Sequence, residues 1–118
     1  CIAWLFPSRF EGFGLPIVES LAARTPVIGT PTGAGTQFLT GPGSELVPID
    51  DVVGMSDAML RFAKMSECDW RTQSEAAWLK TRGWDWRAAT AELESVLRET
   101  LNGKIANPSS RLAVASEV

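Results

Sequence analysis

Two carboxylates, Glu11 and Glu19, frame the segment of the chain best suited to chemistry, Glu11-Gly12-Phe13-Gly14-Leu15-Pro16-Ile17-Val18-Glu19. Glycines lack Cβ, so main-chain N–H groups there can approach a ligand closely. Pro16 suits the first turn of a helix, where its missing N–H costs nothing. The helix start leaves N–H groups without intrahelical acceptors and carries the positive end of the helix dipole. Together these features predict a seat for phosphate at the helix tip.

The two acids are expected to serve different parts of one ligand. Glu19 lies about one turn inside the predicted helix, where a carboxylate would repel a diphosphate bound at the same tip. We therefore expect Glu19 to accept hydrogen bonds from neutral hydroxyls beside the phosphates, such as those of a ribose. Glu11 precedes the glycines and would face the opposite end of the ligand. On spacing alone, Glu19 could instead only stabilise the helix through its dipole, and Glu11 could be a solvated loop residue.

The sequence around the two acids extends the pattern on both sides. It reads Phe6-Pro7-Ser8-Arg9-Phe10-Glu11-Gly12-Phe13-Gly14-Leu15-Pro16-Ile17-Val18-Glu19-Ser20-Leu21-Ala22-Ala23-Arg24-Thr25-Pro26-Val27-Ile28. This string resembles the signature of retaining glycosyltransferase family 4, approximately P-S-x-x-E-G-F-G-L-P-x-x-E-A-x-A-x-G-x-P-V-I. The hallmark of that signature is the E-x7-E pair. The resemblance is strong over residues 1 to 50, and the later helices match only in type.

The resemblance implies an α/β fold of the GT-B type, in which two Rossmann-like domains face each other across a cleft. This chain would be the end of the C-terminal domain, a partial parallel sheet of about three strands followed by helices. Glu11 would be the catalytic residue that contacts hydroxyls of the donor sugar, and Glu19 would bind the ribose. The main chain that binds sugar and phosphates would be that of Gly12, Phe13, Gly14 and Leu15.

The implied reaction transfers a sugar from a UDP-, GDP- or ADP-sugar to an acceptor hydroxyl, with retention of anomeric configuration. The acceptor would be a glycan, a lipid or a small molecule, and no metal or cofactor is expected. The chain would also need the N-terminal domain of the same protein as a partner, so we expect it to be inactive alone. Peripheral membrane contact of the parent enzyme is compatible with this family.

Two positions depart from the family pattern. Arg24 stands where the family usually has glycine, after the signature helix, and is expected to be tolerated if its φ is negative. Gln37 stands where many members have glutamate, so hydrogen bonding is retained while the charge is lost. A role of the second glycine loop in orienting the nucleotide is therefore less strongly predicted than that of the first.

Three other functions compete with this hypothesis. The segment Gly33-Ala34-Gly35-Thr36-Gln37-Phe38 partly imitates the dinucleotide-binding pattern G-x-G-x-x-G of nicotinamide dehydrogenases. Its third glycine is missing, and no acidic residue stands at a clear strand end about twenty positions on. A non-catalytic binding module that kept the fold is the second alternative. A glycogen or starch synthase is the third, and it would differ mainly in donor and acceptor.

The composition of the chain argues against several other classes of function. The chain has 118 residues, a net charge of −3 and no histidine, so it offers neither a basic footprint for nucleic acid nor a histidine-based metal site. Two cysteines make no disulfide framework. No apolar run approaches the ~20 residues of a membrane span. A cytoplasmic location is expected by default.

Hydrophobic periodicity predicts alternating strands and helices. Strands are expected at 1–6, 26–29 and 45–49, apolar on both faces as central parallel strands are. Helices are expected at 16–24, 35–40, from Asp50 or Asp51 to 65, at 67–81 and at 85–101. Residues 1–103 would form the sugar-nucleotide-binding unit and residues 104–118 a mobile tail. The five tryptophans are expected to be packing residues rather than sugar-stacking platforms.

Overall fold

The computed structural model describes residues 1–102, and they form an alternating α/β arrangement. The elements are β1 (Trp4–Phe6), α1 (Leu15–Ala22), β2 (Val27–Gly29), α2 (Gly35–Phe38), β3 (Ser44–Leu46), α3 (Val52–Ala63), α4 (Glu67–Leu79) and α5 (Trp86–Leu101). Every predicted strand and helix is present, with ends that differ by a few residues. The predicted tail at 104–118 lies outside the described residues.

The three strands form one parallel sheet in the order β1-β2-β3. Trp4 pairs with Val27 in register, and Val27 pairs with Ser44. The strand β2 is central and all of its residues are buried. The prediction that all strands are buried on both faces is correct only for β2. Trp4 and Leu5 of β1 are 46% and 40% exposed, because β1 lies at an edge of the sheet within residues 1–102.

Two hydrophobic clusters lie on opposite faces of β2. Successive side chains of a strand alternate between faces, so Val27 and Ile28 enter different clusters. Val27 packs with Ile17 and Leu21 of α1. Ile28 packs with Ala58 and Phe62 of α3. The apolar faces of the two helices are thereby buried against the central strand, which fixes α1 and the loop that precedes it.

The chain divides into two compact units, Cys1–Arg82 and a second that begins at Gly83. The described part of the second unit is dominated by α5, which starts after Asp85, whose side chain accepts a hydrogen bond from the N–H of Ala88 at 2.8 Å. None of the residues of α5 is buried. Trp84 and Trp86 are 52% and 90% exposed, so neither lies in a core formed by residues 1–102, and a role in interdomain packing stays a prediction. None of the helices within residues 1–102 is long and apolar enough to cross a bilayer.

The helix α4 holds the loop between α2 and β3. The side chain of Gln73 accepts a hydrogen bond from the N–H of Gly43 at 2.6 Å. The ammonium group of Lys80 donates to the carbonyl oxygens of Phe38 and Thr40 at 3.0 and 2.7 Å. Burial lowers the pKa of Lys80 to about 8. The loop is therefore tied to α4 through its main chain.

Arg24 has a φ of 59°, so the negative φ on which its expected tolerance depended is not present. It follows α1 in a turn in which the N–H of Thr25 bonds the carbonyl of Ser20 at 2.9 Å and its own N–H bonds that of Leu21 at 3.0 Å. This is the Schellman pattern, in which glycine is the usual residue. The Arg24 guanidinium lies 4.1 Å from the ring centroid of Trp78. This contact and an ion pair with Glu75 offset the conformational cost of the left-handed backbone at Arg24.

The two contributions of Arg24 can be separated by substitution. Arg24→Ala loses the contacts with Trp78 and Glu75 but keeps a left-handed residue, which costs about 1–2 kcal/mol. Arg24→Gly loses the same contacts and relieves that cost. We expect the glycine variant to have a free energy of unfolding about 1 kcal/mol above that of the alanine variant, measured by urea denaturation. An alanine variant as stable as the glycine variant would contradict the assigned backbone.

Candidate functional site

All of the residues predicted to bind a ligand lie between the carboxyl end of β1 and the first turns of α1. In open parallel α/β sheets, ligands bind outside the carboxyl ends of the strands. The strand β1 ends at Phe6 and α1 begins at Leu15. The intervening loop is exposed, apart from half-buried and buried positions at Ser8, Glu11 and Gly14.

The two glycines of the loop, Gly12 and Gly14, have different structural roles. Gly14 is the N-cap of α1 with a φ of 88° and a ψ of 48°, a left-handed conformation that favours glycine. A Cβ at Gly12 would meet nothing within 4 Å. The backbone at Gly12 is therefore open to an approaching ligand, while Gly14 sets the angle at which α1 begins.

The main chain around these glycines offers hydrogen-bond donors. Within residues 1–102, no acceptor is bonded to the N–H groups of Gly12, Gly14 or Leu15. Pro16 has no N–H, and Ile17 donates to the carbonyl oxygen of Gly14 at 3.0 Å. The donors stand at the positive end of the α1 dipole. An anion at this tip would find both hydrogen-bond donors and a favourable field.

The two carboxylates flank these donors. Glu11 is half-buried, and its Oε1 accepts a hydrogen bond from the Ser8 hydroxyl at 2.6 Å. Its Oε2 has no partner within the described part of the chain. Glu19 is exposed on α1, about 6 Å along the axis from Leu15, and it makes no side-chain hydrogen bond or ion pair with residues 1–102. Both side chains thus retain oxygen atoms able to accept hydrogen bonds from a ligand.

A second loop, which follows β2, supports the first. The N–H of Ala34 donates to the carbonyl oxygen of Phe13 at 2.5 Å. A Cβ at Gly33 would lie 2.4 Å from that oxygen and 3.0 Å from the Cβ of Glu11. Gly33 is therefore required because the two loops touch. Gln37 is exposed on α2, and its predicted effect on the nucleotide stays a prediction.

The contacts at the second loop disfavour the dehydrogenase alternative. The glycines of a dinucleotide fingerprint leave room for a tight turn and for the pyrophosphate. Here the space at Gly33 is occupied by the carbonyl of Phe13, and a Cβ at Gly35 would lie 2.3 Å from the carbonyl oxygen of Thr30. Both glycines serve packing within the protein.

Sequence reasoning missed Ser8 and Thr30. Thr30 is only 2% exposed, and its hydroxyl donates to the carbonyl oxygen of Ser8. The available signal was Ser8 itself, since a serine three positions before a carboxylate commonly bonds within a local turn. Arg9, in the same loop, forms an exposed ion pair with Asp50 at 2.7 Å.

A cavity of about 290 Å³ also opens at the carboxyl edge of the sheet. It lies between Pro7, Thr30 and Pro48 on one side and α3 on the other, where Met55 and Met59 contribute to its wall. None of the six predicted ligand-binding residues lines it. The cavity and the glycine loop are therefore separate features of the same edge.

The parallel sheet, the helices packed on both of its faces and the loop after β1 define a Rossmann-like α/β architecture. Residues 2–65 match the sequence model of the family Glycosyl transferases group 1. The chain belongs to that family. The match contains the whole segment from β1 to α3, and so contains every predicted site residue.

Similar proteins are consistent with this assignment. The chain is 39% identical over 59 residues to a lipopolysaccharide core biosynthesis mannosyltransferase of Rhizobium meliloti, covering 48% of this chain and 17% of that protein. It is 30% identical over 94 residues to a phosphatidyl-myo-inositol mannosyltransferase of Mycolicibacterium smegmatis, covering 79% of this chain and 24% of that protein. The chain therefore spans less than a quarter of the length of either relative.

The fold is similar to that of a solved sucrose-phosphate synthase from Thermosynechococcus elongatus. The TM-score is 0.73 with 24% sequence identity, and the likeness covers 84% of this chain and 25% of that chain. This confirms the predicted fold class, a partial Rossmann-like parallel sheet of about three strands followed by helices.

Proposed function

We propose that this chain supplies the donor-binding loop of a retaining glycosyltransferase, which transfers a sugar from a nucleotide sugar to an acceptor hydroxyl. The observation that carries the proposal is the set of main-chain N–H groups at Gly12, Gly14 and Leu15, which lack acceptors within residues 1–102 and stand at the start of α1. Membership of the glycosyltransferase family supports it.

The donors at the helix tip would stabilise the diphosphate as it leaves the sugar. Negative charge develops on the departing phosphate oxygen, and fixed N–H dipoles need no reorganisation to meet it. Pro16 contributes by its fixed φ, which suits the first turn of the helix. The main chain of Phe13 would complete the donor-binding surface. Catalysis in this scheme is mostly electrostatic and positional.

The carboxylates would recognise neutral hydroxyls. The free Oε2 of Glu11 would accept a hydrogen bond from the donor sugar, and Glu19 would accept hydrogen bonds from the ribose. An ionised carboxylate accepts hydrogen bonds and donates none. A sugar hydroxyl can donate one, so it is a suitable partner for each of the two carboxylates. Charged hydrogen bonds of this type contribute about 1.5–3 kcal/mol each.

The donor to test first is GDP-mannose, because two similar proteins are mannosyltransferases. UDP-glucose and ADP-glucose complete a panel that covers the three nucleotides expected from the sequence. The acceptor would be a glycan, a lipid or a small molecule. No metal or cofactor is required in this proposal, so transfer should continue in the presence of EDTA.

Binding of the panel by the intact parent protein, measured by calorimetry, tests the proposal, and the Glu19→Gln variant of that protein tests the role of Glu19. If Glu19 binds the ribose, the variant should bind both the nucleotide sugar and the free nucleoside diphosphate about 10-fold more weakly or worse. Glu92→Gln changes an exposed glutamate of α5 and is the matched control, with unchanged affinity expected. If no donor of the panel binds, the proposal is wrong.

The binding-module alternative makes a different prediction. A module that kept the fold without catalysis would bind a nucleotide sugar but release no nucleoside diphosphate from it in the presence of acceptors. The retention of both acids and of Gly12 and Gly14 favours the enzyme. Measured turnover of a bound donor would exclude the module.

A further inference from the structure

We propose that Ser8 is a positioning residue that fixes the Glu11 carboxylate for the donor sugar, with Thr30 anchoring Ser8. This inference rests on the proposed donor-binding function of Glu11. Ser8 contacts Glu11 rather than the ligand in this scheme, so its effect on binding is indirect.

The first link is a single hydrogen bond across the loop. The Ser8 hydroxyl donates to Glu11 Oε1 at 2.6 Å, a length typical of a hydroxyl bonded to a carboxylate. Ser8 and Glu11 are both half-buried, whereas Arg9 and Phe10 between them are exposed, Phe10 by 88%. The intervening side chains therefore do not fix the carboxylate, and the hydroxyl does.

The second link holds the main chain of Ser8. Thr30, buried at the end of β2, donates its hydroxyl hydrogen to the carbonyl oxygen of Ser8. Its N–H donates to the carbonyl oxygen of Phe6 at 3.2 Å. Thr30, which directly follows the central strand, thus holds both the last residue of β1 and Ser8 in the loop after it. The main-chain position of Ser8 is therefore fixed by its hydrogen bond to Thr30, which is buried beside β2.

A third contact limits the stem of Glu11. The Cα of Gly33 lies so close to the Glu11 side chain that a Cβ on Gly33 would stand 3.0 Å from the Cβ of Glu11. With the stem confined on this side and Oε1 bonded to Ser8, the remaining oxygen Oε2 is the one left for a ligand. Without the Ser8 hydroxyl, the carboxylate would regain rotamers that ordering on binding must then remove.

The experiment compares Ser8→Ala, Glu11→Ala and the double variant of the intact parent protein in binding of the tightest donor of the UDP-glucose, GDP-mannose and ADP-glucose panel. We expect Ser8→Ala to weaken nucleotide-sugar binding about 5- to 30-fold and to leave binding of the corresponding free nucleoside diphosphate unchanged. On the Glu11→Ala background, Ser8→Ala should have no further effect. That absence of additivity is the signature of a residue that acts through Glu11.

A second pair of variants guards against loss of folding. Ser8→Thr keeps the hydroxyl and adds a methyl group, and Ser8→Val has the same shape as that threonine with a methyl group in place of the hydroxyl. The threonine variant should retain the affinity for the nucleotide sugar and the valine variant should lose it, while their melting temperatures stay alike.

The possible results distinguish failure of the positioning role of Ser8 from failure of the proposed donor-binding function. If Glu11→Ala weakens binding of the nucleotide sugar and Ser8→Ala does not, the positioning role is wrong and the donor site stands. The positioning role is also wrong if Ser8→Ala weakens binding of the nucleotide sugar and of the free nucleoside diphosphate equally, or if it strengthens binding of the nucleotide sugar. If Glu11→Ala has no effect either, or no donor binds, both proposals fail.

Discussion

Replacing Glu11 with alanine in the parent enzyme is expected to lower turnover of the nucleotide sugar about 10- to 100-fold, with little change in the affinity for the free nucleoside diphosphate. One hydrogen bond from a charged acceptor to the donor sugar accounts for a loss of this size. The affinity for the nucleotide is unaffected because Glu11 would contact the sugar, while the N–H groups at Gly12, Gly14 and Leu15 serve the phosphates. Release of nucleoside diphosphate from the bound donor, followed at saturating and limiting donor, measures both quantities.

The comparison variant is Glu19→Ala, which should mainly raise the KM for the donor. Because Glu19 would bind the ribose in both the ground state and the transition state, its loss should affect binding more than the chemical step. Small and equal effects of the two substitutions would refute the division of roles between the two carboxylates.

Replacing Gly43 with alanine is expected to destabilise the first unit by about 2–5 kcal/mol. Gly43 has a φ of 84°, and a Cβ there would lie 2.3 Å from the backbone N of Ala77 in α4. The left-handed conformation costs about 1–2 kcal/mol for a residue other than glycine. Displacing a packed helix backbone adds about 1–3 kcal/mol. Chemical denaturation gives the free energy of unfolding.

Gly41 provides the matched control for this prediction. It belongs to the same loop and has a φ of 71°, but a Cβ there would meet nothing within 4 Å. Gly41→Ala should therefore show only the conformational cost of about 1–2 kcal/mol. Equal losses in the two variants would mean that the close approach of α4 to Gly43 contributes nothing to stability.

Much of the fold was predictable because local signals agreed with the tertiary structure. Asp51 was one of two candidate caps for α3, and its carboxylate does accept a hydrogen bond from the N–H of Gly54 at 2.8 Å. The glycines and Pro16 correctly located the start of α1. In each case the deciding interactions join residues close together in the sequence, so the pattern of residue types contains them.

The errors arose where contacts join distant parts of the chain. The left-handed φ of Arg24 is stabilised by Trp78 and Glu75 on α4, which no local pattern reveals. Trp4 was expected in the core because its strand is apolar, but burial depends on where β1 lies in the sheet. Thr30 is an ordinary residue after a strand, and its role follows only from the position of Ser8 beside it.

The contacts that hold the candidate site in place could not be predicted from the sequence either. The family pattern includes a serine before the first glutamate, and the Ser8 to Glu11 hydrogen bond gives that residue a physical reason. Gly33 was assigned to a rival cofactor motif, whereas its missing side chain accommodates the carbonyl of Phe13. Such reassignments need the distance between two loops, which spacing along one chain does not supply.

The central position of β2 has a kinetic consequence. Both hydrophobic clusters are built on its adjacent residues Val27 and Ile28, and its partners are the strands nearest in sequence. Closing short loops costs less entropy than closing long ones, so we expect the folding nucleus to form around β2 with α1. The attachment of α4 to Arg24, through the Ser74 hydroxyl at 2.7 Å, closes a much longer loop and should follow later. Amide protons of β2 should then be among the slowest to exchange with solvent deuterium.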